Sequence, residues 1–200
     1  MNLQSLKESI EGIDIYILDQ LLKNRYQPKD KILDAGCGNG RNLKWFYNAG
    51  FEVYGTDVDI NKVNNCKELY SNQKDNFIVS SIEEMPFAIH SFQHIICNAV
   101  LHFAKDFNHF NKMLNELYKA LKPKGSLFIR IASNFGMENE VEFLGEGNYK
   151  LPDGSKRFLL TQEILDHSQN NFDFILLEDV KTTIVHKKRC MTTLVLQTKL

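Results

Sequence analysis

Residues 31–40 read Lys-Ile-Leu-Asp-Ala-Gly-Cys-Gly-Asn-Gly. Their apolar first half has the length and composition of a buried strand, and residues 41–49 continue with a pattern that suits a helix. A strand that passes through glycines into a helix is the setting of a nucleotide-binding loop, because glycines let the backbone turn tightly and approach a ligand closely. We therefore predict a strand, a ligand-binding loop and a helix in this order.

The loop lacks the two common phosphate-binding patterns. A dinucleotide fingerprint requires glycine at position 41, where the chain has Arg41, and the Gly-Lys-Ser/Thr of a P-loop is absent. Asp34, just before the loop, would repel a pyrophosphate at the helix N-terminus and suits an amine or a positive sulfur instead. Asp57, at the end of the next predicted strand, could accept both hydroxyls of a ribose. A ribose and a cation together indicate S-adenosylmethionine.

Strands and helices alternate on both sides of this loop. The predicted strands are residues 31–35, 51–56, 77–79, 92–99 and 126–132, and the predicted helices are 41–49, 60–71 and 103–121. A helical pattern from Leu3 to Leu21, interrupted at Gly12, precedes them. This alternation predicts an α/β fold with a doubly wound, mostly parallel sheet.

The alternation stops after Ala132. Residues 133–160 are rich in glycine, and we predict an irregular insertion there that forms a mobile lid over the acceptor side of the site. Residues 161–170 suit a short helix, and residues 172–178 and 191–197 suit two strands that pair antiparallel, since no long helix separates them. We expect residues 1–200 to form a single domain with an N-terminal helical segment at 1–29.

Composition excludes several classes of protein. Lysine plus arginine number 24 and aspartate plus glutamate 25, so the net charge is -1, which disfavours a nucleic-acid partner bound by bulk charge. The four cysteines form no Cys-x-x-Cys pair, so we predict no metal site. The chain shows neither a secretory signal nor about 18 consecutive apolar residues, and we expect a cytoplasmic protein that does not bind membranes.

Five blocks of sequence, in the right order, resemble the class I S-adenosylmethionine-dependent methyltransferases, within their type 11 group. The blocks are residues 32–40, 53–57, 83–87, 91–92 and 121–125. Residues 38–42 and the layout of the C-terminal third are also similar to the tellurite-resistance methyltransferases. The resemblance implies a seven-stranded Rossmann-like sheet whose last inserted strand is antiparallel, with S-adenosylmethionine as cofactor and S-adenosylhomocysteine as product.

The resemblance also implies a set of cofactor-binding residues: Asp34, Gly36, Cys37, Gly38, Asp57, Val58, Ser81, Ile82 and Asn98. Asp34 would lie near the methionine amine, and Asp57 would hold the ribose. Asn98, at the end of the fourth strand, would lie beside the methionine moiety. Ser81 stands where the family often has an aspartate, so its bond to the adenine amino group would be weaker.

Methyl transfer is an in-line displacement from a sulfonium, and it needs alignment of donor and acceptor and exclusion of water more than it needs acid–base catalysis. If the acceptor must lose a proton, the candidate base is His102, just past the fourth strand; the alternative is a histidine bonded only to backbone. His90 and His94 lie away from this edge, and we expect both to be solvated.

Acceptor recognition is assigned, by the resemblance, to the late segments that carry Tyr149, Arg157 and Arg189. Two arginines would clamp an anionic acceptor, unless each pairs with a nearby acid such as Asp153 or Glu178.

Residues 1–29 and 133–160 are too little material for a separate recognition domain, so we predict a small-molecule acceptor. An RNA or protein methyltransferase and a catalytically silent S-adenosylmethionine-binding subunit are the alternatives. A nucleotide-linked oxidoreductase is disfavoured by Arg41 and Asp34.

Overall fold

The computed structural model describes residues 3–199. In chain order, its strands are β1 (Lys31–Ala35), β2 (Glu52–Asp57), β3 (Phe77–Val79), β4 (Phe92–Asn98), β5 (Leu121–Ala132), β6 (Glu142–Gly145), β7 (Asn148–Lys150), β8 (Lys156–Phe158), β9 (Phe174–Leu176), β10 (Lys181–Val185) and β11 (Arg189–Thr198). Its α-helices are α1 (Leu3–Ile10), α2 (Ile15–Leu22), α3 (Lys44–Asn48), α4 (Ile60–Leu69), α5 (Phe107–Ala120) and α6 (Gln162–Asn171).

The main sheet has the strand order β10-β11-β5-β4-β1-β2-β3. Strands β1 to β5 pair in parallel, and β11 is antiparallel to both β5 and β10. The predicted mostly parallel sheet with an antiparallel inserted strand is therefore confirmed. The sheet has one strand more than expected, because β9 and β10 both pair with β11, one at each end.

Both faces of the main sheet are covered, as the strand pattern predicted. On one face, Leu33, Ile95 and Leu127 pack with the buried side of α5. On the other face, Ile32, Val53, Ile96 and Phe128 pack with side chains of α2, α3 and α4. Consecutive residues of one strand point to opposite faces, so an apolar run such as residues 32–33 supplies both cores.

Two predicted helices begin later than the sequence suggested. The helix predicted over 103–121 begins at Phe107, because Asp106 caps it by accepting a hydrogen bond from the His109 amide at 2.7 Å. Phe103 lies before this cap in a single 3-10 turn, and 60% of it is exposed. The helix predicted over 41–49 is reduced to residues 44–48.

The insertion is ordered, and the prediction of irregular structure for residues 133–160 was wrong. Strands β6, β7 and β8 form a small antiparallel sheet. Phe158 anchors it: its ring is fully buried and stacks on Phe110 with 4.9 Å between centroids. The same ring lies so close to Gly147 that a Cβ there would come within 2.4 Å of it, so the turn between β6 and β7 requires glycine.

His94 is half-buried rather than solvated, with 12% of its side chain exposed. Its Nε2 lies 2.9 Å from an Asp30 carboxylate oxygen, and its Nδ1 lies 2.7 Å from the Ser126 hydroxyl. Burial lowers the pKa of His94, against the opposing effect of Asp30. The sequence missed this because Asp30 and Ser126 come from a loop and a strand that only the parallel sheet brings together. His90 is exposed, as predicted. Within residues 3–199, no helix is both long and apolar enough to cross a membrane.

Candidate cofactor and acceptor sites

A cleft of about 390 Å³ opens at the carboxyl ends of β1, β2 and β4. Its wall contains seven of the residues predicted to bind the cofactor: Gly36, Gly38, Asp57, Val58, Ser81, Ile82 and Asn98. Carboxyl-end clefts of open α/β sheets are the usual place for a ligand, because the strand-to-helix loops meet there.

The glycine loop is held against the end of β2. The amides of Gly36 and Cys37 both donate to the Thr56 carbonyl at 2.8 Å, and the Gly38 amide donates to Asp57 Oδ2 at 2.9 Å. Gly36 has φ +81°, and a Cβ there would lie 2.4 Å from Val100. Gly38 has φ +54°, and a Cβ there would meet nothing within 4 Å. Gly36 is therefore required by packing, whereas Gly38 leaves space beside the cleft.

Asp57 is fixed by two backbone amides. Its Oδ2 accepts from Gly38, and its Oδ1 accepts from the Asp59 amide at 3.0 Å. Each carboxylate oxygen can accept a further hydrogen bond. The carboxylate is thus oriented at the cleft wall with accepting capacity left for a pair of hydroxyls, as the ribose assignment requires.

Asp34 and Cys37 lie beneath the cleft rather than in its wall. Asp34 is 1% exposed, and neither of its carboxylate oxygens forms a hydrogen bond of ordinary geometry within residues 3–199. Burial raises the pKa of Asp34 to about 7, against the positive charge of Arg41 and the Asn42 side chain, which lies near enough to oppose the rise. Cys37 Sγ lies 3.9 Å from Cys66 Sγ. Direct contact of Asp34 or Cys37 with the cofactor stays a prediction.

A second cavity of about 320 Å³ adjoins the first, and Ala99 lies in the wall of both. Three residues predicted for catalysis or acceptor binding line it, namely His102, Arg157 and Arg189. Tyr149 does not: its ring packs on Phe143 at 5.1 Å between centroids, within the insertion. The structure thus gathers side chains from the end of β4, the insertion and the last strand around one space.

His102 is 8% exposed, and its Nδ1 accepts a long hydrogen bond of 3.4 Å from the Ala132 amide. Burial, with a smaller contribution from the charge of Arg157, lowers the pKa of His102 to about 4. The ring is therefore neutral at pH 7, and with Nδ1 accepting, the proton is on Nε2. A base role for His102 stays a prediction. It requires the tautomer with the proton on Nδ1, so that Nε2 can accept a proton.

Arg157 and Arg189 line the second cavity together with one acid, Asp153. Within residues 3–199, neither guanidinium forms an ion pair; Arg157 donates to the Lys156 carbonyl at 2.6 Å. Glu178, one of the acids considered as a partner, instead pairs with Lys23, Arg25 and Lys181. Hydrogen bonds from Ser155 and weaker attraction from the two arginines hold the pKa of Asp153, in the same wall, below its usual value.

Residues 33–129 match the family described as methyltransferase domain. Over these residues, which make up just under half of the chain, the sequence is similar to methyltransferase domains. The chain is 28% identical over 109 residues to an uncharacterized methyltransferase of Bacillus subtilis, an alignment that covers 54% of this chain and 45% of that protein. The chain spans about half the length of the curated relatives it matches first, including a protein of Methanocaldococcus jannaschii that is 30% identical over 62% of this chain and 50% of its own.

Solved structures share the fold of this chain. One from Methanosarcina mazei superimposes with a TM-score of 0.73 at 19% identity, covering 90% of this chain and 97% of its own. The 1,6-didemethyltoxoflavin-N1-methyltransferase of Burkholderia thailandensis superimposes with a TM-score of 0.68 at 16% identity, covering 100% of this chain and 82% of its own; it was solved with 1,6-didemethyltoxoflavin and S-adenosylhomocysteine bound.

S-adenosylmethionine is the cofactor of the methyltransferase family, and the residues present fit it. Asp57 is oriented at the cleft wall, the space at Gly38 is open, and the buried carboxylate of Asp34 forms no hydrogen bond of ordinary geometry within the described residues. An unpartnered buried carboxylate is costly unless a positive group is nearby in the working protein.

Sequence reasoning missed Arg130, in the wall of the second cavity, and Asp14, which is hydrogen-bonded to it. Arg130 lines the second cavity near the end of β5, and its Nη1 donates to Asp14 Oδ2 at 2.8 Å. The signal for Arg130 was a charged residue inside an otherwise apolar strand. Asp14 had no signal beyond its position before an apolar helix, where it caps α2 by accepting from the Tyr16 amide.

Proposed function

We propose that this protein transfers the methyl group of S-adenosylmethionine to a small-molecule acceptor held in the second cavity. The observation that carries the proposal is the meeting of the two cavities at Ala99, which puts a donor cleft and a second, half-open cavity side by side at the carboxyl edge of one sheet. A fold shared with a methyltransferase solved with a small heterocycle bound supports the proposal.

The chain's residues align the reactants rather than supply a covalent group. Bound S-adenosylmethionine provides an electrophilic methyl group on a positively charged sulfur. Asp57 and the glycine loop would fix the adenosine side of the cleft, and Phe103 and Met113, also in its wall, would exclude water. An acceptor in the second cavity would then attack in line. Alignment of this kind supplies a large part of the rate in such displacements.

The acceptor is anionic in this proposal. Arg157 and Arg189 form no ion pair within the described residues, yet both line the second cavity. Unpaired guanidinium groups bind carboxylates and phosphates with two parallel hydrogen bonds. The volume of about 320 Å³ suits a small molecule better than an RNA strand or a folded protein.

The site of action in this proposal is the cytoplasm. All four cysteines are buried and unpaired, and the thiols of Cys37 and Cys66 remain unbonded although only 3.9 Å separates them. Reduced thiols are typical of a reducing compartment.

A methyl-transfer assay tests the proposal. Purified protein is incubated with radiolabelled S-adenosylmethionine and a panel of small carboxylic and phosphoric acids, with matched amines and neutral analogues. We expect transfer to an acid, with the KM for that acid raised about 10-fold or more in Arg157→Gln and Arg189→Gln, because each loses a charged hydrogen bond. Lys188→Gln, at an exposed neighbouring position outside the cavity wall, is the matched control.

Calorimetry with S-adenosylhomocysteine separates the alternatives. Absence of binding in the folded protein would overturn the proposal altogether. Binding with transfer only to RNA or protein would overturn the small-molecule acceptor. Binding without transfer to any class would favour a silent cofactor-binding subunit.

A further inference from the structure

The Asp14 carboxylate connects the walls of the two cavities. Its Oδ2 accepts from Asn98 Nδ2 at 3.2 Å and from Arg130 Nη1 at 2.8 Å. Asn98 lines the first cavity and Arg130 lines the second, and the two residues are register partners on β4 and β5. The Asp14 side chain is only 3% exposed. A single buried carboxylate from the N-terminal segment therefore contacts one residue of each site.

This contact fixes which way the Asn98 amide faces. A carboxylate accepts hydrogen bonds only, so the NH2 group of Asn98 must face Asp14. Asn98 Oδ1 is consequently turned away, and it is buried without a hydrogen-bond partner within residues 3–199. Asn98 lines the cleft, and although its carbonyl oxygen has almost no exposed surface, that oxygen is an unused acceptor that a positively charged N–H group can satisfy.

The sheet order indicates which part of the cofactor meets this oxygen. Asp57 lies at the end of β2, whereas Asn98 lies at the end of β4, on the far side of β1 and next to the second cavity. The methyl group must face the acceptor, so the sulfur and the amino-acid end of the cofactor belong on the β4 side. Asn98 then lies in the part of the cleft wall nearest the cofactor's ammonium group.

Asp14 also holds the Arg130 guanidinium in place. The group lies over the ring of Tyr16, 5.2 Å from its centroid, and Arg130 Nε is buried without a partner within the described residues. Tyr16 is tied in turn to Thr183 of β10 by a hydrogen bond between their hydroxyls. With Nη1 held by Asp14 and Nε buried, Nη2 is the guanidinium nitrogen left for the second cavity.

We propose that Asp14 is a positioning residue that sets the polarity of both sites, presenting a carbonyl oxygen of Asn98 to the cofactor ammonium and the guanidinium of Arg130 to the acceptor. This proposal rests on the proposed function. It assigns a role in the reaction to the loop between α1 and α2, which the glycine loop also contacts: Arg41 Nη1 donates to the Gly12 carbonyl at 2.6 Å.

Asp14→Asn tests the proposal. Asparagine is as good a helix cap as aspartate, so α2 is kept. Its NH2 group would face the donors of Asn98 and Arg130, and the Asn98 amide would have to flip, which turns an N–H group toward the cofactor's ammonium. Asp14→Ser, which caps the helix and lacks the second oxygen, is the second variant. Glu11→Gln, exposed in the same loop, is the matched control.

The readout is the affinity for two probes, S-adenosylhomocysteine and 5′-methylthioadenosine, which lacks the amino-acid group. We expect Asp14→Asn to weaken S-adenosylhomocysteine about 10-fold or more and to leave 5′-methylthioadenosine within about 2-fold, since only the former makes the charged hydrogen bond. In an Asn98→Ala background, the same substitution should have little further effect, because the two residues act as one unit.

The possible outcomes distinguish the positioning role of Asp14 from the proposed function. Equal losses for the two probes, or no loss in either Asp14 variant, would overturn the positioning role while leaving the proposed function intact. Additive losses in the Asn98→Ala background would overturn it as well. Failure of the unsubstituted protein to bind S-adenosylhomocysteine would instead overturn the proposed function.

Discussion

The guanidinium of Arg157 lies over the ring of Phe103, with 5.1 Å between Cζ and the ring centroid. Phe103 lines the cofactor cleft and Arg157 lines the second cavity, so this pair forms part of the partition between them. His102 lies against the same ring, at 4.5 Å between centroids. The three residues couple the protonation state of His102 to the acceptor side of the site.

Removing the charge of Arg157 should raise the pKa of His102. Burial is the main cause of its low value of about 4, and the positive charge of Arg157 adds to it. In Arg157→Gln the pKa should therefore rise and remain below the ordinary value of about 6.5, because the burial persists. Histidine ring signals followed by NMR against pH measure this. An unchanged value would show that the two groups do not interact.

Asp57 should contribute substantially to cofactor affinity. Asp57→Ala removes an oriented carboxylate, and we expect S-adenosylhomocysteine binding to weaken by about 1.5–3 kcal/mol, the range for hydrogen bonds to a charged group. Calorimetry on the folded variant measures this, with Asp75→Asn at an exposed position as control. Unchanged affinity would exclude Asp57 from the cofactor site.

The first two glycines of the loop should respond differently to alanine. Gly36→Ala places a Cβ 2.4 Å from Val100, so we expect a loss of stability of several kcal/mol, measured by denaturant unfolding. Gly38→Ala meets no atom within 4 Å, so only its positive φ should cost stability, about 1–2 kcal/mol. The methyl group of this alanine would face the cleft. We therefore expect the free energy of S-adenosylhomocysteine binding to lose more than the free energy of unfolding does. A larger loss of stability in Gly38→Ala than in Gly36→Ala would contradict this account of the loop.

Asp34 should make stability fall as pH rises through the acid range. Its folded pKa of about 7 exceeds the ordinary value of 3.8, so the unfolded chain ionises first, and stability is lost between about pH 4 and pH 7. Asp34→Asn cannot ionise, so its stability relative to the unsubstituted protein should grow across this window, by at most about 4 kcal/mol.

The Asp34→Asn variant must be compared with the unsubstituted protein because His102 changes the stability with pH in the opposite direction. Its lowered pKa makes stability rise with pH from about 4 toward 6.5, and this term is common to both proteins. Denaturant unfolding at several pH values isolates the Asp34 contribution as a difference. A difference that does not change with pH would show that Asp34 has an ordinary pKa.

The outer part of the insertion should gain protection when the cofactor cleft is filled. Phe158 anchors the insertion in the core, so we expect motion to be confined to β6 and β7, where Phe143 is 62% exposed. Hydrogen exchange with and without S-adenosylhomocysteine should show increased protection at residues 142–150 and little change at 158–160. Equal protection in the two states would contradict a moving lid.

Much of the fold followed from local sequence patterns. The order of strand, glycine loop and helix at residues 31–48 and the position of Asp57 at the end of β2 are properties of short segments, because strand length, positive φ and helix caps are determined by neighbouring residues. Seven of the predicted cofactor residues therefore line one cleft. The small sheet of the insertion was missed, because its strands are only three or four residues long and it is anchored by the stacking of Phe158 on Phe110, a residue of a helix distant in sequence.

The arrangement that joins the two sites was decided by tertiary structure alone. Asp14 and Arg130 are 116 residues apart, and Asp14 and Asn98 are 84 apart. No periodicity links them, since their contact requires α2 to pack across the ends of strands whose order the chain does not follow. The sequence determined which residues lie on each strand and loop. Packing determined which of them contact the Asp14 carboxylate, because a buried carboxylate takes its partners from the elements that enclose it.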